Sequence, residues 1–168
     1  MKNWKKMMFL LTSGMLSLLY FSTAQAQKTV FTGSWKLNEA KSELGNFGGR
    51  GTATAITVQQ TADSMVIART NPGFNGGQPV TNTITLTFDG KVTETEGPRG
   101  GKRKYSAKWA ADGKSMVISA VISMERDGQT FEFNSTETWT MGAEGELIVA
   151  TTMTTPRGEN STRAVYAK

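Results

Sequence analysis

In the segment VTNTITLTF (80–88), Val80, Ile84, Leu86 and Phe88 fall on one side of an extended chain, and Thr81, Thr83, Thr85 and Thr87 on the other. A period of two is the mark of a strand with one face buried. The same alternation runs through SMVISAVISM (115–124) and TFEFNSTETWTM (130–141). Extended across the chain, it predicts about ten strands, centred on 31–37, 52–60, 64–70, 80–88, 91–96, 104–110, 115–124, 130–141, 146–154 and 161–167. Only NEAKSEL (38–44) looks helical, for about one turn, with Asn38 as its cap.

The connections sort into two sets. Thr61 to Asp63, Asp89-Gly90, Asp112-Gly113 and Gly142 to Gly145 are short, and the Asp-Gly pairs suit hairpins whose central residues need positive φ. The alternate connections, 38–51, 71–79, 97–103 and 155–160, are longer, with Asp127-Gly128 the tight exception. Short turns at one end and long loops at the other predict an all-β, antiparallel up-and-down β-barrel of about 8–10 strands with one closed end and a mouth.

Turn geometry also sets the register. A two-residue turn at Asp127-Gly128 places Met124 opposite Phe131, Ile122 opposite Phe133, Ala120 opposite Ser135, Ile118 opposite Glu137 and Met116 opposite Trp139. A turn at Asp112-Gly113 places Trp109 opposite Met116, Ala107 opposite Ile118 and Tyr105 opposite Ala120. Both turns put the same residues of 115–124 inside. At Asp89-Gly90 a two-residue turn would set Phe88 against Lys91, so a bulged hairpin is expected there. The inner rows then read as a bulky floor, small residues midway and an aromatic rim. A small-ligand site follows, walled by Trp109, Trp139, Phe131 and Phe133, with Tyr105, Ser135 and Glu137 as its polar end. A carboxylate at Glu137 is costly there unless it is solvated, paired with a base or neutralised.

Composition changes this picture at the start of the chain. Lys2, Lys5 and Lys6, an apolar stretch from Met7 to Phe21 and Ala24-Gln25-Ala26 form a secretory signal peptide, expected to be cleaved after Ala26. The apolar stretch is too short to span a bilayer, which needs about 20 residues. The expected product, 27–168, is a single domain, periplasmic or secreted, with no membrane span after cleavage. The chain has 19 basic and 14 acidic residues. Three of the lysines lie in the signal, which removes the electrostatic case for a nucleic-acid partner. The remaining basic surplus sits at the mouth, in a loop containing Arg99, Lys102, Arg103 and Lys104; such a loop is either simply solvated or draws an anionic ligand or lipid headgroup to the mouth.

Gly33 and Trp35, on the first strand, resemble the Gly-x-Trp signature of lipocalins and the wider calycins. The resemblance implies that Trp35 closes one end of the barrel and that a late basic residue, Arg163, packs across its ring. GSWKLNEAKSEL, AKWAADGKSMVI and ETWTMGAEGELIV are similar to segments of exported bacterial lipocalin-like proteins of poorly defined function. One reading of such a barrel is a carrier of a small apolar or amphipathic molecule. An envelope protein-interaction module or inhibitor, acting through the long loops over a filled barrel, is the alternative.

Catalytic chemistry is sparse. With no histidine and no cysteine, Ser-His-Asp catalysis, histidine-ligated zinc, thiol nucleophiles and disulfides are excluded. The Gly-rich loops lack the Gly-Lys-Ser/Thr ending of a phosphate loop. Glu94 and Glu96 form a carboxylate pair on one strand face, where both can simply be solvated. No enzyme activity, metal or cofactor is expected, and no protein partner is identifiable.

Overall fold

The computed structural model describes residues 27–45, 51–73, 76–96, 101–126, 128–155 and 158–168. The expected signal segment, Arg99 and Asp127 lie outside these residues. Ten strands form: β1 (Gly33–Leu37), β2 (Ala55–Gln60), β3 (Ser64–Asn71), β4 (Val80–Thr87), β5 (Thr93–Glu96), β6 (Lys102–Trp109), β7 (Met116–Arg126), β8 (Gln129–Met141), β9 (Leu147–Thr155) and β10 (Gly158–Ala167). NEAKSEL supplies one 3-10 turn, Glu39–Lys41, with the Asn38 side chain accepting from the Lys41 amide.

Every ladder is antiparallel, in the order β4-β3-β2-β1-β10-β9-β8-β7-β6-β5. The strands thus form a nearly closed up-and-down barrel. β1 and β10 meet at Lys36↔Ala167 and Leu37↔Tyr166. That short junction is extended by Asn38 N–H to the Val165 carbonyl, 2.8 Å, and by the Glu43↔Arg163 bridge. The register across β6, β7 and β8 is the one the turns imply, from Trp109↔Met116↔Trp139 to Met124↔Phe131.

The turn at Asp89-Gly90 departs from expectation. β4 and β5 are the two ends of the strand order and share no ladder. The chain implies a bulged hairpin here; instead the strands part. The Phe88 amide bonds back to the Asp63 carbonyl, 2.8 Å, and the Asp89 carboxylate captures the Lys91 amide, 3.0 Å. Across the gap, the Thr93 hydroxyl donates to the Thr85 carbonyl, 3.1 Å.

The core occupies the closed half. Phe31, Trp35, Ile56, Met65, Ile67, Leu86, Met116, Trp139 and Leu147 are all fully buried or nearly so. The segment before β1 seals the base. Thr29 donates its amide to Gly113 and its hydroxyl to Lys114, and Gln60 bonds both Phe31 and Thr29. Phe31 stacks on Trp109 at 5.9 Å and meets Trp139 edge-on at the same distance. Such ring pairs contribute about 0.5–1.5 kcal/mol each beyond the area they bury.

Candidate ligand site in the open half of the barrel

Gly-x-Trp has a local cause. Gly33 adopts φ 154°, a conformation that L side chains rarely reach, and its backbone lies against the Trp35 indole. The Trp35 Nε1 donates to the Phe31 carbonyl, 2.9 Å, so the ring ties the sealing segment to β1. The cation near the Trp35 ring is Lys168, 5.3 Å from the centroid. Arg163 does not pack there. It neighbours Ala164 on β10, whose side chain faces inward, so Arg163 points out and is exposed. Its main chain makes two 2.8 Å bonds with Glu43, which hold the 39–45 segment to the wall.

Above the floor, the inner face changes character. Trp139 is fully buried, and Trp109 is enclosed by Phe31 and Phe88. Both belong to the floor, not to the wall of an open space. One row up stand Ala107, Ile118, Glu137, Thr151 and Thr162; next come Tyr105, Ala120, Ser135, Met153 and Asn160; then Arg103, Ile122 and Phe133. Ala120 and Ser135 are buried. Tyr105, Ile122, Met124, Phe133 and Met153 point inward yet are only half-buried, and Phe131 at the rim is 37% exposed. Solvent therefore reaches the inner face of the open half.

Glu137 is not the free polar end of this space. Arg69, inward on β3 beside Met65 and Ile67, reaches across the barrel and grips both carboxylate oxygens at 2.6 Å. Trp139 Nε1 donates to the same carboxylate, 2.8 Å, and the Arg69 guanidinium lies over the Trp139 ring, 5.5 Å from the centroid. Burial pushes the Glu137 carboxyl up, but the Arg69 charge and the hydrogen bonds from Arg69 and Trp139 outweigh it and hold the group below its ordinary value. Burial likewise works against the Arg69 charge, and Glu137 more than restores it. The pair is ionised and closed on itself. Tyr166, buried nearby with its hydroxyl donating to the Ala53 carbonyl at 3.0 Å, is raised by burial.

The basic mouth loop is also redrawn. Lys102, Arg103 and Lys104 are strand residues of β6. Lys102 and Lys104 face outward, and Lys102 pairs with Glu94 at 2.8 Å. Arg103 has the parity of Tyr105 and Ala107 and turns inward. Its Nε is enclosed and has no partner, as are Arg69 Nε and Trp109 Nε1. A buried donor left unmatched costs roughly 1–3 kcal/mol. Among the inward positions of the described residues, Glu137 is the one acid, and Arg69 holds it.

Neither Arg69 nor an inward Arg103 stands out in the sequence, although the signal is there. In MVIARTN the alternation that buries Met65 and Ile67 also points Arg69 inward, and RKYSAKW does the same for Arg103. On the outer wall a cleft beside Lys41 and Arg163 is already neutralised, since Lys41 pairs with Glu144 and Glu146 at 2.7 and 2.9 Å.

No protein-family model matches the sequence, and no curated protein matches it significantly. Among solved structures, the chain is similar to the zebrafish ileal bile acid-binding protein, crystallised with cholic acid. The TM-score is 0.51 at 17% identity, covering 83% of this chain and 99% of that one. The likeness shows the fold alone, an antiparallel up-and-down β-barrel.

Proposed function

We propose that the protein is an exported binding protein that carries one small apolar or amphipathic molecule in the open half of its barrel. The observation that carries this reading is the change halfway up the inner face, from a packed aromatic floor to inward side chains that solvent still reaches. Phe131, Phe133, Ile122 and Met124 offer an apolar wall, and Tyr105 and Ser135 offer polar atoms beneath it. Such a mix suits a small-ligand site. That a barrel of this fold has been crystallised with cholic acid supports a role of this kind. Export rests on the basic n-region, short apolar stretch and Ala24-Gln25-Ala26 motif. The absence of histidine and cysteine from the sequence supports binding over catalysis.

Ala120 sits midway between Tyr105 and Ser135. Ala120→Phe should fill the space and abolish binding of N-phenyl-1-naphthylamine, an uncharged fluorescent probe, while the protein stays folded. If wild type binds neither this probe nor its anionic analogue 1-anilinonaphthalene-8-sulfonate, or the filled variant binds as well as wild type, the internal site is wrong. The loops at the mouth would then be the place to look for a protein partner.

A further inference from the structure

Resting on that reading, we infer that the molecule held in the barrel is an amphipathic organic oxyanion whose carboxylate or sulfonate head is received by Arg103. Among the described side chains, the inward charges do not balance. Arg69 and Glu137 cancel through two short bonds. Arg103 remains, inward and half-buried, with an enclosed Nε that has no partner and with no ion pair among the described residues. The nearby acids do not serve it: Glu94 is outward and bound to Lys102, and Glu132 and Glu96 are exposed on the other face. An unmatched guanidinium is retained at a cost unless something else satisfies it.

The row it stands in says what that is. Arg103 lies beside Ile122, which faces Phe133, and one row above Tyr105. A ligand whose charged head meets Arg103 can lay an apolar body against Phe133, Phe131 and Met124. The planar fork of arginine suits the two oxygens of a carboxylate or sulfonate, and a charge-assisted bond in this half-enclosed space is stronger than one at the surface. Lys104, one residue on, points away and supplies only diffuse attraction.

The test compares two fluorophores with nearly the same apolar body, anionic 1-anilinonaphthalene-8-sulfonate and uncharged N-phenyl-1-naphthylamine, at about 0.15 M salt to screen surface charge. Arg103→Met should weaken the sulfonate probe roughly tenfold or more and leave the neutral one within about twofold. Arg103→Lys, which keeps charge but loses the fork, should fall between. Lys104→Met should change neither. Equal losses for both probes, no loss in Arg103→Met, or an equal loss in Lys104→Met overturns the inference. Should Arg103→Met not fold, wild type decides, because tighter binding of the neutral probe refutes an anion site. Binding of neither probe refutes the underlying carrier reading instead.

Discussion

Replacing Glu137 by Gln removes one charge from the Arg69–Glu137 pair at nearly constant volume. Both bonds are 2.6 Å, and the two side chains are 23% and 16% exposed, so water compensates only a little. Breaking one side of a buried pair costs about 3–5 kcal/mol, because the other charge is stranded. Discounted for the remaining solvent contact, about 2–4 kcal/mol is expected, or roughly 3–5 °C of melting temperature per kcal/mol for a domain this size. Arg69→Met should cost a similar amount. The double variant strands no charge, and the carbonyl of the introduced amide can still accept from Trp139 Nε1, so its cost should fall short of the summed singles by about 2 kcal/mol. The pH dependence carries a second sign. In wild type the Glu137 carboxyl lies below its ordinary value of 4.5, so the pair's contribution is complete above pH 4.5 and is lost as pH falls through the lowered value. In Arg69→Met burial outweighs the one remaining hydrogen bond, from Trp139 Nε1, and raises that carboxyl, so the penalty should ease in acid where wild type weakens. Urea melts followed by tryptophan fluorescence between about pH 3 and 7 measure all of this. A loss below about 1 kcal/mol for Glu137→Gln, or strictly additive singles, would refute the reasoning.

The other tests are simpler. Gly33→Ala should destabilise by about 1–3 kcal/mol through backbone strain alone, since the added methyl meets the indole at ordinary contact distance; a neutral change in a denaturant melt would show the strain to be absent. Trp35→Ala should cost about 3–5 kcal/mol and Lys168→Met less than about 1 kcal/mol; a reversed order in the same melt would place the closure in the cation. Tyr166 is raised above 10.0 by burial, so its contribution is complete below pH 10.0 and is lost as pH climbs toward the raised value; a Tyr166→Phe variant should show a flatter decline in alkaline melts. N-terminal sequencing of periplasmic material should begin at Gln27, and an intact Met1 in the membrane fraction would end the export reading.

The register of β6, β7 and β8 is legible because two Asp-Gly turns and the apolar alternation agree on which residues face in. The β4–β5 gap is hidden because Asp89-Gly90 has hairpin chemistry; the mismatch of Phe88 with Lys91 is its trace. Resemblance assigns Arg163 to Trp35, yet the buried Ala164 and Tyr166 already give it the outward parity. Glu137 is placed inside by the turns, and its need for a partner is visible. The partner is not, because Arg69 lies 68 residues away on the far wall, and only closure of the barrel brings them together. The sealing segment 28–31 has no periodicity at all. Its position depends on Gln60 and on the 110–115 turn, contacts that no local pattern encodes.

The base of this barrel is assembled from distant parts of the chain. Thr29 is fastened to a turn 85 residues later, the Tyr166 hydroxyl reaches back 113 residues to Ala53, and β1 finds its second neighbour in β10. While the chain is being made, β1 has β2 and nothing else, and Trp35 has no far wall to lean on. Local hairpins can flicker into existence, but the entropy of closing the largest loop must be met before the floor exists. Folding should therefore come in one late step, on the order of milliseconds to seconds, after the last strand is released. Until then no enclosed interior exists, and any molecule held there would meet the barrel only as a finished vessel.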